Sequence, residues 1–219
     1  MMMATAARAA LATMTSITTK HWGKVAKLTS TAKAPFDIHR IFVKDDGTFP
    51  NNEEYSTLLY KAAFMPSNQA GAAAANNNNN DIIEAEGRRR ITKDGNWTSP
   101  WVWGIFDYHH YHSKAWELLL CIRGSAYVQV GGNEGPTVSV AEGDLMLIPP
   151  GMAHKQLDEK NGFSLLGSYP TKGFDDGSSM IDTITGSPTE KERARIAGCY
   201  VPERDPICGL DIRELCNAP

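Results

Sequence analysis

The amino-acid sequence predicts an all-β protein built around one antiparallel sandwich or barrel. From residue 101 onward, short apolar or alternating segments recur, and Gly, Pro, Asn or Asp separates most of them. Short strands with turn residues in the gaps are typical of antiparallel sheets. A chain of 219 residues is long enough for one ordinary domain, and no internal repeat divides it. The predicted strands comprise residues 101–108, 116–123, 126–130, 137–140, 145–148 and 163–169.

The flanking parts of the chain have a less regular pattern. Residues 38–44 have the alternation of a strand, and residues 54–64 fit either a strand or a helix. A helix is predicted over residues 188–197, because Ser and Pro precede it and Gly198 follows it. We therefore expect short helices only as additions to the β-domain, close to its ends.

Two segments have a strongly biased composition. Residues 68–80 join an Ala-rich run to five consecutive Asn residues and offer no periodic apolar face, which predicts an exposed loop insertion. Arg88, Arg89 and Arg90 form a basic run. We interpret this run as a solvated charged turn, with an anion site as the alternative.

The first 33 residues are rich in Ala, contain nine Ser or Thr residues and have no acidic side chain. This composition fits either a mitochondrial or plastid transit peptide or a disordered terminal tail. We expect a cytoplasmic protein, with a mitochondrial location as the alternative. The predicted organisation is thus an N-terminal segment over residues 1–33, a β-domain over residues 34–180, and a C-terminal extension over residues 181–219 that packs on the β-domain.

Composition narrows the classes of function. With 42% hydrophobic and 21% charged residues, the chain has the composition of a folded globular domain. A net charge of −3 argues against a dedicated nucleic-acid binder. The sequence has no run of 18 apolar residues, so no membrane span is predicted. The four cysteines contain no C-x-x-C pair, so neither a zinc knuckle nor a redox dithiol is predicted. We expect a small-molecule partner, with no nucleic acid and no membrane.

The histidines predict a metal site. His110 and His112 are two residues apart, so on a strand both project from one face. Glu117 begins the next predicted strand, and an antiparallel return places its carboxylate beside the two imidazoles. His154 follows a tight turn and supplies a fourth ligand from a distant strand. Three imidazoles and one carboxylate suit a divalent first-row metal and leave two positions of an octahedron open.

These residues also match two sequence motifs of a known family. The sequence resembles the cupins, and more closely the YjlB-type single-domain cupins, which have no assigned reaction. Shorter strings, such as Pro50-Asn51-Asn52 and Gly167-Ser168-Tyr169-Pro170, extend the resemblance over roughly residues 36–211. The two motifs read Gly104-x5-His110-x-His112-x4-Glu117-x6-Gly124 and Gly143-x5-Pro149-x-Gly151-x2-His154.

The resemblance implies a single cupin β-barrel, related to the jelly roll, with short helical decorations at the termini and the metal inside its mouth. It also implies one divalent transition metal, with Fe(II) preferred and Mn, Zn, Ni or Cu as alternatives. A homodimer is expected from the same resemblance. The outward parity of the apolar residues Leu118, Leu120 and Ile122 gives that expectation independent support.

Three residues are predicted to line a substrate pocket. Tyr108 shares strand parity with His110, Trp103 precedes the first motif, and Arg123 shares parity with Glu117 by simple alternation. No general base or nucleophile stands out, so no catalytic residue is assigned. We expect a metal-dependent enzyme, preferably a dioxygenase acting on a small organic molecule. The alternatives are a non-redox isomerase or decarboxylase, and a binding module without catalysis.

Overall fold

The computed structural model describes residues 23–28, 36–64, 79–173 and 181–217. Residues 1–22, within the predicted tail or transit peptide, and residues 68–78 of the predicted loop lie outside the described residues. No helix in the described part is long and apolar enough to cross a membrane. The strands are β1 Gly23–Leu28, β2 Asp37–Val43, β3 Thr57–Lys61, β4 Trp101–Trp103, β5 Glu117–Val130, β6 Thr137–Ala141, β7 Leu145–Ile148 and β8 His154–Ser168, and the helices are α1 Asn79–Ile91, α2 Glu190–Gly198 and α3 Ile212–Cys216.

The strands form one antiparallel sheet, which confirms the predicted all-β class. Their order is β1-β2-β3-β7-β5-β8-β4, and β6 pairs with the second half of β5. Two of the predicted strands merge into β5, and β8 is far longer than the segment predicted for it. Asn161 and Gly162 lie inside β8 and both have positive φ, so they form a local irregularity in that strand.

A sharp bend in β5 and β8 shapes the whole sheet. A straight strand of the length of β5 would hold its ends about 43 Å apart. His154 pairs with Val130 at the end of β5, yet its Nε2 lies 3.2 Å from Oε2 of Glu117 at the start of β5. The bend coincides with register shifts around Gly124, which has φ +66°. A Cβ there would lie 2.3 Å from the Lys160 carbonyl oxygen, so the bend needs glycine at this position.

The bend also shifts the inward-facing positions of β5 by one residue. Before it, Leu119 and Cys121 face the inner cluster of apolar side chains; after it, Ala126 and Val128 do so. The inward-facing residues thus have odd numbers before the bend and even numbers after it. Such a change is expected when bulges add unpaired residues to a strand.

The outer face of the sheet is covered as well. Leu118, Leu120 and Ile122 are buried, and they share a second apolar cluster with Ile83 and Ile91 of α1. These three residues do lie on the outer face, but they give no support for a dimer, because α1 and the C-terminal segment cover that face. At Gly87 a Cβ would meet the Leu120 side chain at 2.4 Å, so α1 lies very close to β5.

Helix α1 changes two sequence-based interpretations. It begins at Asn79, so the last residues of the predicted loop insertion are helical. Arg88, Arg89 and Arg90 lie in its last turn and not in a charged turn between elements. They pair with Glu84 and Glu86 at spacings of three or four residues. Helical spacing accounts for the arginine run, since such pairs lie on one helix face and cations suit a helix C-terminus.

The terminal segments join the sheet. Gly23–Leu28, inside the predicted N-terminal segment, is strand β1 and pairs with β2 over its full length. The predicted helix over residues 188–197 appears as α2, which Thr189 caps with a reciprocal bond to Glu192. From α3, Ile212, Leu215 and Cys216 enter the outer apolar cluster. All four cysteines of the chain lie in the described part, and none of them is in a disulfide.

The turn before His154 gives a test of the fold. Gly151 has φ +83°, and a Cβ there would lie 2.4 Å from the backbone oxygen of Asn51. We expect Gly151→Ala to lower the free energy of unfolding by about 2 to 4 kcal/mol, from backbone strain together with overpacking. Thermal melting should show a decrease of about 4 °C or more.

Gly186 is the matched control, because its φ is +78° and a Cβ would meet nothing within 4 Å. Gly186→Ala should cost only the backbone strain, about 1 kcal/mol. Equal melting temperatures for the two variants would contradict the role given to the contact with Asn51.

Candidate metal centre

Three histidines converge on one point inside the sheet. One nitrogen of each of His110, His112 and His154 lies within 4.8 Å of the others, and all three side chains are buried. Backbone pairing holds them there: His110 and His154 exchange two N–H···O bonds of 3.2 and 3.0 Å, and Gly151 N donates to His112 O at 2.8 Å. The parity of His110 and His112 and the turn at Gly151 thus combine to assemble the group.

The backbone also sets the tautomer of each imidazole. Nδ1 of His110 lies 3.3 Å from Tyr108 O, and Nδ1 of His154 lies 3.1 Å from Met152 O. Nδ1 of His112 lies 2.5 Å from Asp182 O. Because a carbonyl oxygen only accepts, each Nδ1 carries a proton. Each Nε2 is then the atom that either carries the second proton of a charged imidazole or gives its lone pair to a metal. Outer hydrogen bonds of this kind orient histidine ligands in metal sites.

Glu117, the fourth predicted ligand, lies beside two of these imidazoles. Its Oε2 lies 3.4 Å from His112 Nε2 and 3.2 Å from His154 Nε2. Its other oxygen, Oε1, accepts a 2.9 Å hydrogen bond from the Tyr169 hydroxyl. Glu117 Oε2 and His112 Nε2 are both buried without a hydrogen-bond partner. Two such polar atoms in the interior are costly unless something else satisfies them.

The charges of the site are strongly coupled. Burial raises the pKa of Glu117, but His112 and His154 outweigh burial and hold that pKa well below its usual range. Burial lowers the pKa of His112, but Glu117 raises it above its ordinary value overall. The pKa of His110 falls to about 3, first through burial and then through the neighbouring histidines. Burial, followed by the charge of Glu117, raises the pKa of Tyr169.

These residues fit a divalent metal. Donors at about 2.1 Å from one ion are about 3.0 to 3.4 Å apart at octahedral or tetrahedral angles. The two Glu117–imidazole distances, 3.4 and 3.2 Å, match that spacing. Imidazole nitrogens with a carboxylate oxygen are a donor set for Fe(II), Mn, Zn, Ni or Cu. The unpartnered Oε2 and Nε2 atoms are then the atoms that a metal would satisfy.

A cavity of about 330 Å³ opens onto the three histidines and Glu117. Among the described residues, no Lys or Arg lines it, and Glu117 is its one carboxylate. Thr183 lies on its wall. The apolar and aromatic part of the lining is formed by Trp101, Val102, Trp103, Ile105, Phe106, Leu119 and Tyr169.

The three predicted pocket residues have different positions. Trp103 lines the cavity and is 66% exposed, so it lies at the mouth. Tyr108 does not line it; its ring stacks on Phe106 at 4.9 Å and faces solvent. Arg123 is exposed and lies outside the cavity as well. Alternation of side chains along the strand predicted that Arg123 faces the same side as Glu117. This prediction fails because the register of β5 shifts after Cys121.

The sequence interpretation missed two residues of this site. Asp182 supplies the carbonyl behind His112, and its carboxylate accepts from Ser113 N at 2.9 Å and from the Ser113 hydroxyl. Tyr169 supplies the hydroxyl that holds Glu117. Each is more than 50 residues away in sequence from the ligand it contacts, so no local spacing pattern connects them. Leu119 also lines the cavity. The sequence could have predicted this position, since Leu119 shares strand parity with Glu117.

A larger cavity, of about 490 Å³, lies between α2 and residues 51–55. Several of its polar side chains already have partners within the protein. Arg193 pairs with Asp45 at 2.6 Å, and the side chains of Asn51 and Asn52 bond to backbone groups. The metal-type donor group belongs to the smaller cavity, which is therefore the functional candidate.

Comparison with known proteins places the chain in a family. A sequence model described as Cupin domain matches residues 104–157, which include all four predicted ligands. Uncharacterized protein YjlB from Bacillus subtilis (strain 168) is 33% identical over 170 residues, covering 77% of this chain and 88% of that protein. The chain belongs to the cupin family. It is a cupin with three histidines placed to bind a metal.

Two solved structures are also similar to this cupin. An 11S globulin from Wrightia tinctoria is 16% identical, with a TM-score of 0.30 over 78% of this chain, which spans 28% of the globulin's length. A cupin 2 conserved barrel domain protein from Rhodopseudomonas palustris is 17% identical, with a TM-score of 0.26, and the match covers 80% of this chain and 88% of that one.

Removal of a single imidazole tests the metal centre. We expect His112→Ala to lose most of its bound metal, because water replaces one of four protein donors. Folding should survive, since the two apolar clusters stabilise the sheet. Plasma mass spectrometry on untagged protein measures the bound metal, and the melting temperature shows whether the variant is folded.

His109→Gln is the matched control for His112→Ala. His109 is also buried, but its ring packs on Phe49 at 5.2 Å and it is not in the metal group. This variant should keep its metal. Full metal occupancy in His112→Ala would contradict the ligand assignment, and outright unfolding would indicate a structural metal.

The carboxylate of Asp182 gives a second test. Asp182→Ala removes the bonds to Ser113 and loosens the carbonyl behind His112. We expect a loss of metal affinity of about tenfold or more, as for other residues that orient ligands. Competition with a chromogenic chelator measures it, with the exposed Asp158→Ala as control. Equal affinities for the two variants would contradict the orienting role of Asp182.

Proposed function

We propose that this cupin is a metal-dependent oxidoreductase that binds Fe(II) and joins dioxygen to a small organic molecule. One observation supports the proposal above the others. Three imidazole nitrogens lie within 4.8 Å of one another, and one carboxylate oxygen lies 3.2 and 3.4 Å from two of them, in a cavity whose walls are mainly apolar and aromatic. A four-donor protein site leaves positions for exogenous ligands on its cavity side, as catalytic metal sites require.

Each residue has a definite task in this proposal. His110, His112 and His154 bind the metal through Nε2, and their carbonyl partners accept from Nδ1. Glu117 contributes one negative charge and lowers the net charge of the centre. The metal supplies the site at which substrate and dioxygen meet. Both oxygen atoms enter the product in a dioxygenation, so the reaction needs no external reductant.

The cavity favours an uncharged or weakly anionic substrate. It lacks Lys and Arg among the described residues, so no side-chain cation compensates a strongly anionic molecule. Trp101, Trp103 and Phe106 offer flat apolar surfaces, which suit a planar group. Such walls also exclude water, which strengthens every electrostatic interaction at the metal.

A second candidate function is a non-redox isomerisation or decarboxylation. The observation that favours it is the Tyr169 hydroxyl, which donates to Glu117 and holds a proton at the wall of the cavity. Mn, Zn or Ni would serve in that case. The third alternative is a binding module that holds a ligand without turnover.

The homodimer and the cytoplasmic location stay predictions. The homodimer rests on the resemblance alone, since Leu118, Leu120 and Ile122 are covered within the chain. Light scattering on purified protein decides the oligomeric state.

Oxygen uptake tests the preferred function. We expect anaerobically Fe(II)-loaded protein to consume dioxygen with at least one member of a panel of diketones, thiols and phenols. Labelled dioxygen should place both of its atoms in the product. Zn-loaded protein and the Fe(II)-treated His112→Ala variant are matched controls, and neither should consume oxygen.

The panel also separates the alternatives. No uptake with any compound would exclude the oxidative function for these substrate classes. Turnover that persists without oxygen and with Zn would support the isomerase or decarboxylase. Ligand binding without turnover under all conditions would support the binding module.

A further inference from the structure

Backbone hydrogen bonds and ring contacts fix the position of Tyr169 independently of its hydroxyl. It directly follows β8, where its backbone N donates to Thr98 Oγ1 at 3.2 Å and its backbone O accepts from Thr98 N at 2.8 Å. Its ring lies 6.1 Å from the ring of Trp101 and 5.7 Å from that of His112, measured between centroids. The phenol therefore approaches Glu117 from one defined direction.

The two oxygens of Glu117 have different surroundings. Oε1 accepts the Tyr169 hydroxyl at 2.9 Å. Oε2 has no hydrogen bond and lies 3.2 and 3.4 Å from Nε2 of His154 and His112. A carboxylate oxygen that accepts a phenol hydrogen bond is a weaker metal donor, because one of its two lone pairs is already shared and its charge is partly neutralised. The metal side of Glu117 is thus Oε2 alone.

We propose that Tyr169 is a positioning residue that makes Glu117 bind the metal through one oxygen. The proposal rests on the proposed metal-dependent function, and it concerns the number of positions left for substrate. Three imidazoles and one carboxylate oxygen leave two of six positions open, whereas both carboxylate oxygens would leave one. Two ligands, such as a substrate oxygen and dioxygen, then bind side by side only while Tyr169 holds Oε1.

Tyr169→Phe removes the hydroxyl and keeps the ring that packs on Trp101 and His112. Co(II) serves as the probe, since its visible absorption depends on coordination number and geometry. We expect the variant to bind Co(II) about 10- to 100-fold more weakly than the wild type, the range for residues that orient ligands, because the loss of a preoriented carboxylate outweighs the gain of a second, strained oxygen contact. Its absorption should also weaken and shift, because a released carboxylate adds a second oxygen to the metal.

Tyr127→Phe is the matched control, because Tyr127 lies on β5 with its side chain 47% exposed and does not line the cavity. It should leave both readings unchanged. Circular dichroism establishes that each variant is folded. A ring that only packs would give a Tyr169→Phe spectrum equal to that of the wild type, and this outcome would overturn the proposal.

A double-mutant cycle shows whether Tyr169 acts through Glu117. In a Glu117→Ala background, adding Tyr169→Phe should change Co(II) affinity and spectrum no further. An effect of equal size in that background would overturn the proposal, because Tyr169 would then act without Glu117. Failure of the proposed function is a separate result: the wild-type protein itself would not bind Co(II), whatever stands at position 169.

Discussion

The bend in β5 and β8 is the constraint on which the metal centre depends. Strand β5 carries Glu117 at its start and pairs with His154 at its end, so its two ends must meet for the ligands to converge. Gly124 permits this bend, since its positive φ and its contact with the Lys160 backbone exclude a side chain. Opposite it, Asn161 and Gly162 also have positive φ. The bend costs ladder hydrogen bonds, which the apolar clusters on both faces of the sheet offset.

Orientation of the imidazoles depends on backbone atoms more than on side chains. All three Nδ1 atoms face carbonyl oxygens, and two of those carbonyls lie two residues from the histidine they orient. The third belongs to Asp182, so the C-terminal segment is part of the metal centre as well as a cover for the sheet. The same segment pairs with the strand-like stretch between the histidines, where Tyr111 and Ile184 exchange two backbone bonds of 3.0 Å.

Burial of Glu117 links stability to function. A buried carboxylate is costly, and here two imidazoles and one phenol compensate it. One oxygen and one imidazole nitrogen stay unsatisfied, which a well-packed interior tolerates only where another group is to bind. The cavity beside them is apolar and lacks side-chain cations among the described residues. The interactions within the site thus favour a metal cation at its inner end and a neutral molecule toward its mouth.

The sequence by itself determined the all-β class, the family and the three histidines that are brought together at the site. Strand parity and turn residues are local properties, so His110 with His112, and the turn before His154, follow from short spacings. Only the tertiary structure decided where alternation fails, because bulges around Gly124 turn Arg123 away from the cavity. It also decided that Leu118, Leu120 and Ile122 are covered, that the arginine run is helical, and that Asp182 and Tyr169 hold two of the ligands. Those contacts join residues far apart in the chain, and such contacts depend on how the whole sheet bends.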